Sequence, residues 1–478
     1  MQRKKFIELS FLSALCALYS PLELMASPKK NDGYLSDNQN DLSDNINVRY
    51  IRQGNSSYES LRQGFNKRIN KLPAVIALCS SAIGVAEAVK YAAKNNLAVA
   101  VKSGGHCMEG FSCNNDGLVI NLSEMKSMRW INDDNIQVEP GCTLKDIYDF
   151  ILPKNKIIPG GSCAGVGIGG LVMGGGYGLL ARKFGLTCDS LREITMVDGT
   201  GKIIQAQSDS ELLWACKGGN NGNFGIVTSL TFKVHHAPNS MQSFRFKSFQ
   251  TTKEKSKEIL KKWFEVTALL PANCFSAFVQ NGKTAYILLT NVGATDEKVQ
   301  KAITGLKSVT EKHTQTGQIP LSSALKVYYG QTTPLYFKNA SAGLYNDFNT
   351  IAPFVDKILD LVLSTPGMIY QVNTLGGKIQ DAEFEKLSSF PHRKFNYLSE
   401  LQTYWKQPEQ GKKLMQQFQK VQTIFKENGI TAQYRNYPDV DFINAPQIYY
   451  GANFNKLVEI KKQYDPNNLF RYEQGIKV

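Results

Sequence analysis

The chain has no Cys-x-x-Cys pair, no dense block of Lys or Arg, no repeat of fixed period and, after residue 26, no apolar run long enough to cross a bilayer. Each absence excludes a class. Without closely spaced cysteines a structural zinc site has no ligand set, so no metal is expected. Lys+Arg 55 against Asp+Glu 41 gives a net charge of +14, but the lysines are scattered through helical stretches such as 251–262. That pattern reads as a solvated basic surface, and no nucleic-acid partner is expected. No membrane span is expected either. What remains is a globular composition, 42% hydrophobic and 20% charged, in 478 residues, enough for two or three domains.

The first 26 residues read as an export signal. Arg3-Lys4-Lys5 is followed by an apolar stretch from Phe6 to Tyr19, too short to span a membrane, with a cleavage site at Leu24-Met25-Ala26. Arg3-Lys4-Lys5-Phe6-Ile7 also suits a relaxed twin-arginine signal, the route for proteins exported already folded; ordinary Sec export fits as well. A secreted or periplasmic location follows. Of nine cysteines, eight remain once the signal is removed, and their spacing reveals no pairing.

Residues 27–70, rich in Asn, Asp, Ser and Lys at their start, read as a poorly ordered leader. From 71 to 236 short buried strands alternate with glycine loops. Leu97–Val101 is a strand that delivers Lys102-Ser103-Gly104-Gly105-His106. Between Gly160 and Gly178, ten of nineteen residues are glycine, a density that suits a backbone approached closely by something else. A third glycine loop, 218–228, feeds the strand 227–234. The texture changes at His235-His236-Ala237-Pro238. Residues 237–432 alternate longer helices with strands such as 285–289 and are assigned to a second domain; 433–478 are expected to return to the first.

A pyrophosphate needs several amides pointing one way, and glycine-permitted turns supply them without steric cost. Three such loops in one region suit a dinucleotide. Gly165-x-Gly167-x-x-Gly170 matches a Rossmann fingerprint, but the segment before it, 157–161, is short and broken by Pro159, so a nicotinamide cofactor ranks second. His106 gains interest from its place at a strand end after Ser-Gly-Gly. Cys163 gains it from the glycine loop around it, because a thiolate made reactive by nearby dipoles is a nucleophile.

These segments, with Gly174-Gly175-Gly176-Tyr177-Gly178, Leu213-Trp214-Ala215 running to Thr228, Asn436-Tyr437, Tyr449–Phe454 and Tyr464–Phe470, resemble successive signatures of the berberine-bridge-enzyme-like FAD-linked oxidases. The resemblance covers roughly residues 70–235 and 430–475. It implies an α+β fold of the vanillyl-alcohol-oxidase type: a two-subdomain PCMH-type FAD-binding domain and a substrate domain of antiparallel sheet with covering helices. It implies FAD bonded twice, by His106 at the flavin 8α-methyl and by Cys163 at C6. Cofactor contacts would come from Lys102, Ser103, Gly104, Gly105, Cys107, Gly161, Val166, Gly167, Gly169, Gly170, Gly174, Gly175, Tyr177, Gly178, Gly225, Ile226, Val227, Tyr450 and Asn453. Lys102 stands where the family often has Arg, and Ala164-Gly165 where it often has Pro-Thr. The resemblance places Val166 at the family's oxygen-gating position, where a valine would leave room for O2.

By the same resemblance Tyr437 is the catalytic base for a small-molecule alcohol or sugar hemiacetal, with hydride passing to the flavin and O2 taking the electrons as hydrogen peroxide. A phenol needs its pKa lowered to act so. Along an extended 433–437, Arg435 would share a face with Tyr437 and favour the phenolate; equally, it could pair with Asp439 or Asp441 on the surface. Tyr370, Gln371 and Asn373 could face the substrate or lie in the core. Oxidative ring closure or dehydrogenation of a natural product on the same fold, a nicotinamide dehydrogenase and a binding module without turnover are the alternatives.

Overall fold

Residues 46–478 are described by the computed structural model. The export signal and the start of the leader lie outside them. Among the described residues three larger sheets organise the fold, beside a two-stranded pairing of Lys156–Ile157 with His235–His236. The first runs in the order Val48–Ile51, Val75–Cys79, Leu118–Asn121, Val99–Lys102; the last three strands are parallel and the first is antiparallel. All five residues of Val75–Cys79 are buried, as suits a parallel strand covered on both faces. The helix Ala82–Lys94, capped by Ser81 Oγ accepting from Gly84 N, lays Val85, Ala88, Val89 and Ala92 on this sheet.

The leader reading needs correction here. Val48–Ile51 pairs with Val75–Cys79, and the helix Tyr58–Arg62 buries Tyr58 beside Ile76 and Val119. Among residues 46–70 most polar side chains are exposed, Asn66 being a buried exception, and one buried side is enough for an edge strand.

The second sheet is antiparallel, in the order Met128–Asn132, Asn135–Val138, Gly225–Lys233, Leu191–Asp198, Ile203–Ala206. The third follows the path Lys312–Gln315, Ser240–Ser248, Thr284–Asn291, Cys274–Asn281, Met368–Thr374, Tyr397–Trp405, Tyr336–Tyr345, with Ile319–Pro320 pairing off the second of these strands. Its central strands are buried along nearly their whole length because both faces are covered, and they carry one acidic residue, Glu400. Phe278, Ile287, Tyr370 and Leu401 pack under the helices Lys253–Thr267, Glu297–Val309, Val355–Ser364 and Pro408–Glu427. Alternate residues such as Phe275, Ala277, Leu288 and Tyr404 join the cluster around the glycine-rich region. The helices Ala445–Tyr450 and Phe454–Tyr464 pack on Glu211–Cys216 and Phe224, and Phe470 enters the core of the first sheet.

The glycine run is not wholly irregular: Ile168–Met173 is a short helix holding Gly169 and Gly170. Ile168, Val172 and Met173 bury its inner face, while Gly169 lies where a Cβ would press on Pro140. Tertiary fit overrides the low helix propensity of glycine over so few residues. Where the three parts of the chain meet, the buried Lys338 ammonium pairs with both Glu109 and Asp439, and Arg68 reaches Glu109 at 2.7 Å.

Candidate active site

One deep cleft lies between the two glycine loops, the inner face of the third sheet and the C-terminal segment. The strand Val99–Lys102 ends at its mouth, and the Ser103–His106 loop closes directly on the second loop. A Cβ on Gly104 would collide with the Gly167 backbone, and one on Gly167 would collide with Gly104 in return. Only glycine permits that approach. A Cβ on Gly165 would lie 3.1 Å from His106 Nε2. The loop carrying Cys163 therefore passes beside the imidazole, and both side chains line the cleft.

Phe65 backs His106, its ring stacked on the imidazole at 4.5 Å with planes 13° apart. Phe65 N donates to Gly105 O at 2.9 Å. Burial pulls the imidazole down to about 4, so it is neutral at physiological pH and keeps a lone pair. No disulfide links the eight described cysteines.

The C-terminal segment is sewn to the glycine run. Tyr434 Oη accepts from Gly176 N at 3.1 Å and Tyr177 N at 3.0 Å, and Asn436 Nδ2 donates to Leu171 O at 2.9 Å. Tyr177 Oη donates to Thr374 O at 2.9 Å, tying the run to the third sheet. From that sheet Asn339, Gln371, Asn373 and Glu400 point into the cleft, while Tyr370, one residue out of phase, is buried under the helices. Glu400 is 3% exposed and accepts from Asn339 Nδ2 at 2.6 Å. Burial pushes its carboxyl up to about 7, against the hydrogen bonds of Asn339 and Gln402. Sequence reasoning missed this residue, because one Glu inside a strand carries no motif.

Of the residues expected at the cofactor, Ser103, Gly104, Gly105, His106, Cys107, Gly161, Cys163, Val166, Gly167, Gly169, Gly170, Tyr177, Gly178, Gly225, Ile226 and Val227 line the cleft, as do Arg435 and Tyr437. Five do not. Lys102 turns back to donate to the carbonyls of Leu61 and Gln63. Gly174 and Gly175 sit behind the lining, against Asn436 and Phe390. Tyr450 is fully buried and accepts from Asn223 Nδ2 at 3.0 Å; Asn453 donates to Ser389 O at 3.1 Å.

The relation between Arg435 and Tyr437 also differs from expectation. Residues 434–437 form a turn, with Tyr437 N donating to Tyr434 O at 3.0 Å, so the two side chains do not share an extended face. Arg435 is buried among Phe111, Tyr449 and Tyr472, neither beside Tyr437 nor paired with Asp439 or Asp441. The Tyr437 phenol is held well above its usual value, first by burial and then by the Glu400 charge. Its environment opposes the phenolate.

The cleft suits FAD. Its glycine-lined end offers backbone amides to phosphates, its middle carries a neutral imidazole and a thiol side chain, and its far end is a polar sheet face. Residues 73–207 match the family model described as FAD binding domain, and 433–477 match that of berberine and berberine-like proteins. The chain is 30% identical to berberine bridge enzyme-like 25 of Arabidopsis thaliana, over 79% of its length and 78% of the relative's. It is 27% identical to a chitooligosaccharide oxidase of Gibberella zeae, over 89% and 91%. A solved chitooligosaccharide oxidase superposes with a TM-score of 0.80 at 25% identity, covering 90% of this chain and 97% of that one. The protein belongs to the berberine-bridge-enzyme-like family of FAD-dependent oxidoreductases. The Rossmann reading of Gly165–Gly170 falls with that assignment.

Proposed function

We propose that this enzyme carries FAD attached at both His106 and Cys163 and oxidises an alcohol or sugar hemiacetal, with O2 as the electron acceptor and hydrogen peroxide as product. The observation that carries this reading is the closure of the Ser103–His106 loop on Gly165 and Gly167, which brings the imidazole and the Cys163 loop to one stretch of cleft. Bound FAD supplies the hydride acceptor.

The remaining chemistry falls to side chains of this chain. Glu400 is the only carboxylate among the described residues lining the cleft, and near pH 7 about half of it is ionised. It is the proton acceptor. Tyr437, kept neutral, hydrogen-bonds the substrate oxygen and orients it. Asn339, Gln371, Asn373 and Gln331 supply amides that both donate and accept, as hydroxyl-rich substrates require. A carbohydrate substrate is further supported by the relative named chitooligosaccharide oxidase. Val166, small and at the cleft wall, leaves access for O2. Residues 1–26 are read as the export signal of a secreted or periplasmic enzyme.

Intact mass and the visible spectrum of acid-denatured protein test the attachment. One FAD should remain on the unfolded chain, and His106→Ala and Cys163→Ala should each still hold it by the other bond. A colourless, unmodified chain from cells supplied with flavin sinks the double attachment. Peroxide release across a panel of mono- and oligosaccharides then tests the substrate class, and dye reduction without peroxide would overturn the oxidase reading.

A further inference from the structure

Among the described residues lining the cleft there is one cation, Arg435, as there is one carboxylate. The two do not pair: Glu400 accepts from Asn339 Nδ2, and no ion pair joins it to Arg435 among the described residues. The guanidinium is 5% exposed and always ionised. Among the described residues its one hydrogen bond runs from Nη2 to Tyr472 Oη at 2.7 Å, and its buried Nε has no partner. Its other neighbours are aromatic faces: Phe111 at 5.8 Å, Tyr449 at 5.2 Å and Tyr472 at 5.6 Å. No carboxylate forms an ion pair with it among the described residues. A buried cation held only by phenols and rings is costly unless an anion arrives with a ligand.

The surroundings say which ligand. Phe111 and Ser112 line the cleft just beyond Cys107, and Phe111 N donates to Cys107 Sγ at 3.3 Å, folding this stretch against the end of the Ser103–His106 loop. Tyr472 Oη in turn donates to Asn223 Oδ1 at 3.2 Å in the third glycine loop, so Arg435 borders the glycine loops rather than the amide-lined sheet where Glu400 lies. The lysine expected to serve there, Lys102, is occupied by two carbonyls outside the cleft.

We infer that Arg435, oriented by Tyr472, is a positioning residue that pairs with the pyrophosphate of FAD. The assignment rests on the reading of the cleft as the FAD site. Glycine amides give that end shape and partial charge; Arg435 gives it the one full positive charge.

The test uses the full-length His106→Ala/Cys163→Ala protein, in which flavin binds reversibly. FAD and riboflavin, which lacks phosphate, are titrated by fluorescence quenching. Arg435→Met should weaken FAD about tenfold or more and leave riboflavin within about twofold; Arg435→Lys should recover part of the loss. Unchanged FAD binding overturns the assignment. So does an equal loss for both ligands with a lowered apoprotein melting temperature, which marks a merely structural arginine, and so does a loss centred on riboflavin, which puts the cation at the ring. Should Arg435→Met fail to fold, Tyr472→Phe removes the orienting phenol, and it should weaken FAD several-fold while sparing riboflavin; no change would again overturn the pairing. A parent protein that binds neither ligand fails before any Arg435 variant is made, and takes the FAD reading down with it.

Discussion

The two ends of the cleft are built from different material. The end under Ser103–His106 and Gly161–Gly170 is shaped mainly by backbone: apart from the side chains of His106, Cys163 and Arg435, its working parts are atoms that every residue has. The end under the third sheet is made of side chains, and its backbone is an ordinary antiparallel ladder. A site made of backbone writes itself into sequence as glycine, because any Cβ would be in the way. A site made of side chains on a ladder leaves only alternation, which a core strand shows as well.

The comparison breaks hardest at the backbone end. Gly167→Val puts a branched side chain into the Gly104 backbone and the Ser103 hydroxyl; flavin content of the purified protein should fall to near zero, with a stability loss of about 1–3 kcal/mol or more. At the other end Glu400→Gln should keep full flavin content and lower turnover by roughly 10²–10⁴-fold. Its pH profile sharpens the point. Because burial holds the carboxyl near 7, wild-type turnover should climb as pH rises through about 7 and then level, and Glu400→Gln should lose that rise. Tyr437→Phe should keep flavin and lose most turnover while retaining the pH step, since the step belongs to the carboxylate. Gln371→Leu or Asn373→Leu should raise KM several-fold with little change in flavin content; an effect on flavin loading instead would erase the distinction between the ends.

The smallest effect concerns stability alone. His392 is 6% exposed, and burial pulls its imidazole down to about 4. It stays neutral in the fold but charges in the unfolded chain below about 6.5, so stability should fall as pH drops from about 6.5 toward 4. At pH 5 the loss from this residue is about 2 kcal/mol. His392→Leu should reduce that slope in a melting series without changing flavin content, His106 and His235, also pulled down to about 4, supplying the remainder.

This division also explains what could be read from the chain before its fold was known. The glycine loops were legible because close backbone approach restricts residue type, and the loops carry His106 and Cys163 to the cleft wall. The strands Val99–Lys102 and Thr284–Asn291 were legible, as 97–101 and 285–289, from continuous apolar runs. Glu400 was not, since nothing distinguishes it locally from a solvent-facing glutamate. Arg435 was misread because a turn at 434–437 replaces the extended backbone on which side-chain parity depends. Lys102 was misplaced because its partners, the carbonyls of Leu61 and Gln63, belong to a segment whose polar composition suggested a loose leader. Tyr450 and Asn453 lie behind the wall, where family position alone does not separate lining from support.

The wall of the cleft begins at Phe65 and ends at Tyr472. As the chain leaves the ribosome, the aromatic ring that backs His106 is among the first parts made, and Arg435, Tyr437 and Tyr472 are among the last. A nascent or prematurely terminated chain can display every glycine loop and still lack the residues that close the cleft. Assembly of the reactive centre is thereby deferred until synthesis is complete, and its wall becomes a check on the integrity of the whole polypeptide.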